Sequence, residues 1–139
     1  MSVARKLVVC AFVVIGAAVA STGTASASVT VPFQVAPAAF GNPNGSFDLP
    51  AFRCAAVVGE QPGAVTIAGG DEGRWGCLVS SDVRWLNLST GATGYARMSD
   101  GLNGIPGQVT LHTGIGQVVV TVLGSGGTIT PGVASFFVP

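Results

Sequence analysis

The sequence predicts an all-β protein: a small antiparallel β-sandwich of about 7–9 short strands, immunoglobulin-like in general architecture and held by one disulfide, with a small β-barrel as the alternative. Three observations carry this. Apolar and polar residues alternate with period two in one short segment after another. Turn-forming clusters separate those segments, and 21 glycines supply residues that tolerate tight turns. No stretch beyond residue 28 keeps a 3.6-residue period for ten residues, so the crossover helix a parallel sheet requires is missing.

The first 27 residues are set apart. Arg5 and Lys6 precede an uncharged apolar core over residues 7–20, and Ala25-Ser26-Ala27 forms an A-x-A cleavage site. This is the layout of a secretory signal peptide, cut after Ala27. A membrane-spanning helix needs about 20 apolar residues, more than this core supplies. Cys10 lies within the core and follows the bulky Val9, so it is expected to leave with the leader and not to carry a lipid. Residues 28–139 are then expected to form a single exported domain.

Within that domain Val29, Val31, Phe33 and Val35 form one face of a first strand. A turn follows over 41–46, sharpest at Asn44-Gly45. Two strands are expected over 47–49 and 52–58, split by Pro50, which cannot donate to a ladder. A turn at 60–63 leads to a strand with Val65 and Ile67 on one side, and 69–73 turns again. Trp75, Cys77 and Val79 are expected to share a core-facing side of the next strand, and Asp82 to turn the chain once more. Val83 and Trp85 then alternate with Arg84 and Leu86. Ser89-Thr90-Gly91 reads as a hairpin turn before a strand over 93–98, and residues 99–107 as a loop. Strands over 109–113, 117–123, 128–130 and 133–138 complete the chain, the last placing Phe136 and Phe137 on opposite faces.

Cys54 and Cys77 are the only cysteines beyond the leader. In an exported chain they are expected to pair, and closing that loop removes about 3.4 kcal/mol of unfolded-state entropy. A zinc site would lack ligands, since His112 is the only histidine.

The chemistry-bearing inventory is thin. Arg53, Arg74, Arg84 and Arg97 face six carboxylates in residues 28–139, a net charge of −2 with no lysine. That balance excludes a nucleic-acid binder, which needs a basic stripe. The missing lysine excludes Schiff-base chemistry in the exported chain. His112 is expected to point outward from its strand, and nothing in the spacing selects Asp100 and Ser125 as triad partners. Asp71, Glu72 and Asp82 lack the spacing of a calcium loop. Gly124-Ser125-Gly126-Gly127-Thr128 resembles a phosphate cradle only in glycine content, because a β segment follows it. Asn87-Leu88-Ser89 fits a glycosylation sequon by chance. No cofactor, metal or enzymatic activity is expected.

By elimination, the expected function is that of a non-catalytic secreted or cell-envelope β-domain that binds a protein or a cell-wall component. Trp85, Asn87, Tyr95 and Phe137 are the candidate contact residues, with Asn87 formally on the same strand face as Trp85. Two alternatives stand beside it. One is a subunit of an oligomeric envelope pore or membrane-associated assembly, suggested by low charge and the apolar 117–123 strand. The other is a small secreted protease inhibitor presenting residues 99–107, which the disulfide does not visibly brace.

Overall fold

A computed structural model describes residues 27–42, 44–45, 51–70, 77–124 and 129–139. Its strands are β1 (Val29–Pro32), β2 (Ala38–Ala39), β3 (Cys54–Val58), β4 (Ala64–Gly69), β5 (Asp82–Asn87), β6 (Thr93–Arg97), β7 (Val109–His112), β8 (Gly116–Leu123), β9 (Ile129–Thr130) and β10 (Gly132–Val138). They make two four-stranded antiparallel sheets, ordered β1-β3-β4-β7 and β10-β8-β5-β6, with a minor β2-β9 ladder. The fold is an all-β sandwich with one disulfide, Cys54–Cys77.

The period-two pattern explains which side of each sheet is dry. On β8, Val118, Val120 and Val122 are buried while Gln117, Val119, Thr121 and Leu123 are half-buried on the other face. Val65 and Ile67 of β4, Ala56 and Val58 of β3, and Leu111 of β7 supply the facing layer. Val83, Ala134, Phe136 and Val138 complete a single cluster that spans both sheets. Burying a side chain of this size is worth about 1.5–3 kcal/mol, so this layer is the main source of stability.

The strands expected over 64–67, 117–123 and 133–138 are present, the strand through Val83 and Trp85 runs from Asp82 to Asn87, and those expected over 52–58, 93–98 and 109–113 are present over Cys54–Val58, Thr93–Arg97 and Val109–His112. Three expectations change. The first strand does not run straight to Val35. It stays bonded to the first sheet through Phe33, whose N–H donates to the Cys54 carbonyl at 3.0 Å, then bends, and Val35 pairs with Val133 of β10 in the second sheet. The switch lets one segment serve two sheets. Cys77 is not on a strand: the chain turns at Val79-Ser80, with Ser80 at a φ of 50°, and Leu78 is buried in place of Val79. Asp82 consequently opens β5 instead of turning the chain. The short β2 was not anticipated, because two alanines carry no alternation. The strand expected over 47–49, Pro50, the turn at 71–73 and Trp75 lie outside the described residues.

Candidate functional site

The four residues singled out from the sequence divide between the two faces of the second sheet. Trp85 and Asn87 point toward the first sheet, while Tyr95 and Phe137 point to solvent. They do not form one surface.

Trp85 is half-buried and packs against the core cluster. Its cross-strand partner is Gly94. A methyl group placed on Gly94 would lie 2.4 Å from the indole Cζ2, so the ring lies flat over the gap that glycine leaves on the edge strand. An aromatic covering a strand glycine restores the packing that glycine lacks.

Asn87 is fully buried, which removes it from any contact surface and from the reach of glycosylation. Its Oδ1 accepts from the backbone N–H of Ser89 at 2.9 Å and of Thr90 at 3.1 Å. Its Nδ2 donates to the carbonyls of Thr113 at 2.9 Å and Ile115 at 3.1 Å. One amide therefore shapes the β5–β6 turn and ties it to the β7–β8 connection that crosses from the first sheet to the second. Gly116 makes room for it: a methyl group there would lie 2.8 Å from Asn87 Oδ1. A buried amide costs free energy unless it is hydrogen-bonded, so its role is structural.

The outer face of the second sheet is different. Leu86 lies directly opposite Val119, Tyr95 opposite Arg84, and Phe137 opposite Gln117. Diagonal neighbours on a sheet are about 7–8 Å apart. Tyr95, Leu86, Val119 and Phe137 thus form an oblique apolar stripe across all four strands, one residue from each. Its two aromatic ends are open, Tyr95 at 71% and Phe137 at 58% exposure. Thr93, Thr121, Gln117 and Ser135 frame it, and Gln117 Nε2 donates to Ser135 Oγ at 2.7 Å. Among the described residues Arg84 is the one charge beside the stripe. Asp82 and Arg97 pair at 3.3 Å at the margin of the same face.

The remaining candidates are dispersed. His112 is exposed at the far end of β7 from the loop that holds Asp100. Asp100 Oδ1 accepts from the N–H of Leu102 at 2.9 Å. Ser125, Asp71 and Glu72 and most of the 124–128 segment lie outside the described residues. Among the described residues no group of three His, Cys, Asp or Glu side chains is placed to hold a metal. A depression of about 70 Å³ on the outer face of the first sheet is lined by Val57, Glu60, Gln61, Ala64, Thr66 and Thr110. Small-molecule pockets run to about 300–1,000 Å³.

The loop over 99–107 is braced, contrary to the sequence reading. Cys77 N–H donates to the Gly107 carbonyl at 2.8 Å, so the disulfide anchors one end of the loop. A methyl group on Gly107 would lie 2.6 Å from the Cys77 carbonyl oxygen, so only glycine permits this approach. Ser99 Oγ donates to the Pro106 carbonyl and accepts from Gln108 N–H at 3.2 Å. The tip is a 3₁₀ turn over Leu102–Gly104 with Leu102 exposed. The sequence signal for this brace was Gly107 itself, recognisable only once Cys77 was known to sit beside it.

Fold and surface together define a disulfide-stapled β-sandwich with an exposed aromatic sheet face. Comparison with protein-family models, with curated proteins and with solved structures finds no match. The buried disulfide fits an oxidising, extracellular compartment. Among the described residues no helix is long and apolar enough to cross a membrane.

Proposed function

We propose that the protein is a non-catalytic secreted or cell-envelope β-domain that binds a protein or cell-wall component through the outer face of its second sheet. The observation that carries this is the oblique Tyr95–Leu86–Val119–Phe137 stripe, open at both aromatic ends. Aromatic side chains with hydroxyl and amide neighbours suit either a protein hot spot or stacking on sugar rings. The leader-like first 27 residues supply the export route, and the disulfide supports the destination.

Two features favour this over the alternatives. The strands span 2–8 residues, against about 9–11 for a membrane-crossing strand, and the space between the sheets is filled with side chains. The 99–107 loop is anchored at its base, but its tip is a turn, with Asn103 at a φ of 56°, and not the extended segment a protease cleft accepts.

The test is co-sedimentation of the purified, oxidised protein with envelope fractions and with isolated cell-wall polymer. Retention that Phe137→Ser abolishes supports the reading. Retention that Phe137→Ser leaves intact sinks it.

A further inference from the structure

The four edges of the two large sheets are not equally protected. The β10 edge is covered by the crossing N-terminal segment, where Val35 pairs with Val133 and Gln34 Oε1 accepts from Ser135 N–H at 2.7 Å. The β1 edge ends on Pro32, and β7 is only four residues long. The β6 edge carries Thr93-Gly94-Tyr95-Ala96-Arg97, without proline, lysine or a bulge. Such an edge is a template for another strand.

The direction of its hydrogen-bonding groups is fixed. Asn87 N–H donates to Ala92 carbonyl at one end of the β5–β6 ladder, and Met98 N–H to Ser81 carbonyl at the other. Between them the ladder alternates, so Gly94 and Ala96 bond to β5. Thr93, Tyr95 and Arg97 direct their backbone N–H and C=O away from β5, with no partner among the described residues.

We infer that β6 pairs antiparallel with β6 of a second copy of the chain, Tyr95 opposite the second copy's Tyr95, joining two four-stranded sheets into one of eight. The parity requires this kind of register. Closely bonded antiparallel pairs must join outward-directed residues on both strands, and centring on Tyr95 also sets Thr93 against Arg97, giving six backbone hydrogen bonds. On the inner side Gly94 meets Ala96, so the facing positions are small, with the Trp85 indole resting on Gly94 behind the edge. On the outer side a row forms of Arg84, Tyr95, Tyr95 and Arg84, with each guanidinium on a strand next to an aromatic ring. The two Arg97 side chains stand about 14 Å apart along the strands, so like charges do not meet. The second copy fits better than a foreign peptide because the same five residues satisfy both sides of a two-fold axis. The interface is isologous and small, so the dimer is expected to be weak and concentration-dependent.

Sedimentation equilibrium of the oxidised, exported protein from about 1 µM to 1 mM tests this, with amide chemical shifts followed over the same range. The expected result is a mass rising from one chain to two, with concentration-dependent shifts at Thr93, Tyr95 and Arg97. Tyr95→Lys, which sets two ammonium groups at the axis, and Thr93→Pro, which removes an outward N–H while leaving the β5 ladder intact, should each weaken association at least tenfold. If Thr93→Pro fails to fold, Tyr95→Lys decides. Phe137→Ser, at the opposite edge of the sheet, should leave the dimer unchanged, which separates this inference from the face-binding reading. A chain that stays monomeric at 1 mM, a dimer indifferent to both β6 variants, or one lost in Phe137→Ser would overturn it.

Discussion

Asn87 Nδ2 lies 2.9 Å from the carbonyl oxygen of Thr113, and this bond joins the turn ends of the two sheets. Asn87 belongs to the second sheet and Thr113 follows the last strand of the first. The same side chain accepts from Ser89 and Thr90, so removing it releases both turns together. Asn87→Ala leaves buried carbonyls and N–H groups without partners, each costing about 1–3 kcal/mol where water cannot reach. The expected loss is about 3 kcal/mol, read from urea unfolding at fixed m-value. Asn87→Asp should be at least as damaging near neutral pH, because a carboxylate cannot donate to Thr113 or Ile115. An Asn87→Ala protein within 0.5 kcal/mol of wild type, on the order of a surface change, would show that the two turns are held by something else.

Gly94 and Trp85 form a second dependent pair. Gly94→Ala places a methyl group 2.4 Å from the indole, a distance the rigid ring can relieve only by tilting away. Overpacking of this kind costs about 1–3 kcal/mol. The indole Nε1–H resonance of Trp85 should move and unfolding should shift to lower urea. An unchanged resonance with unchanged stability would mean that the ring does not rest on Gly94.

The disulfide supports more than the strand it starts. Cys77 N–H bonds to Gly107, so Cys54→Ala/Cys77→Ala should lower stability by about 3 kcal/mol and also loosen the loop over 99–107. Hydrogen exchange distinguishes the two effects. The amide at position 77 should exchange much faster than core amides such as Val120, beyond the global loss. Uniform acceleration across the chain would show that the cross-link acts only on the unfolded state.

Much of the fold could be read from alternation, because a two-residue period assigns each side chain to a face without knowledge of the partner strand. Phe136 and Phe137 fall on opposite faces for that reason, and His112 points outward from its strand as expected. The sheet switch between Phe33 and Val35 and the turn at Val79-Ser80 were not legible, since both depend on which sheet the chain must reach next. Asn87 shows the limit for sites. Strand parity put it beside Trp85 on one face, and that was correct. Polarity suggested that this face was wet, yet the amide is polar in order to satisfy backbone groups from a turn 26 residues away. Sequence spacing cannot register that distance.

The adjacent Phe136 and Phe137 test the division between core and surface most directly. Phe136 is buried at 5% exposure opposite Val118, while Phe137 is open at 58% opposite Gln117. Phe136→Ala empties a filled volume between the sheets and should cost about 3–5 kcal/mol. Phe137→Ala removes a ring that mostly faces water and should change stability by less than about 0.5 kcal/mol. Partner binding is expected to reverse that order: Phe137→Ala weakens capture of envelope material, whereas any Phe136→Ala protein that remains folded still binds. Thermal unfolding combined with the co-sedimentation assay separates the two residues. Equal stability losses would mean that β10 is out of register by one residue, which would turn every side chain of that strand to the other face.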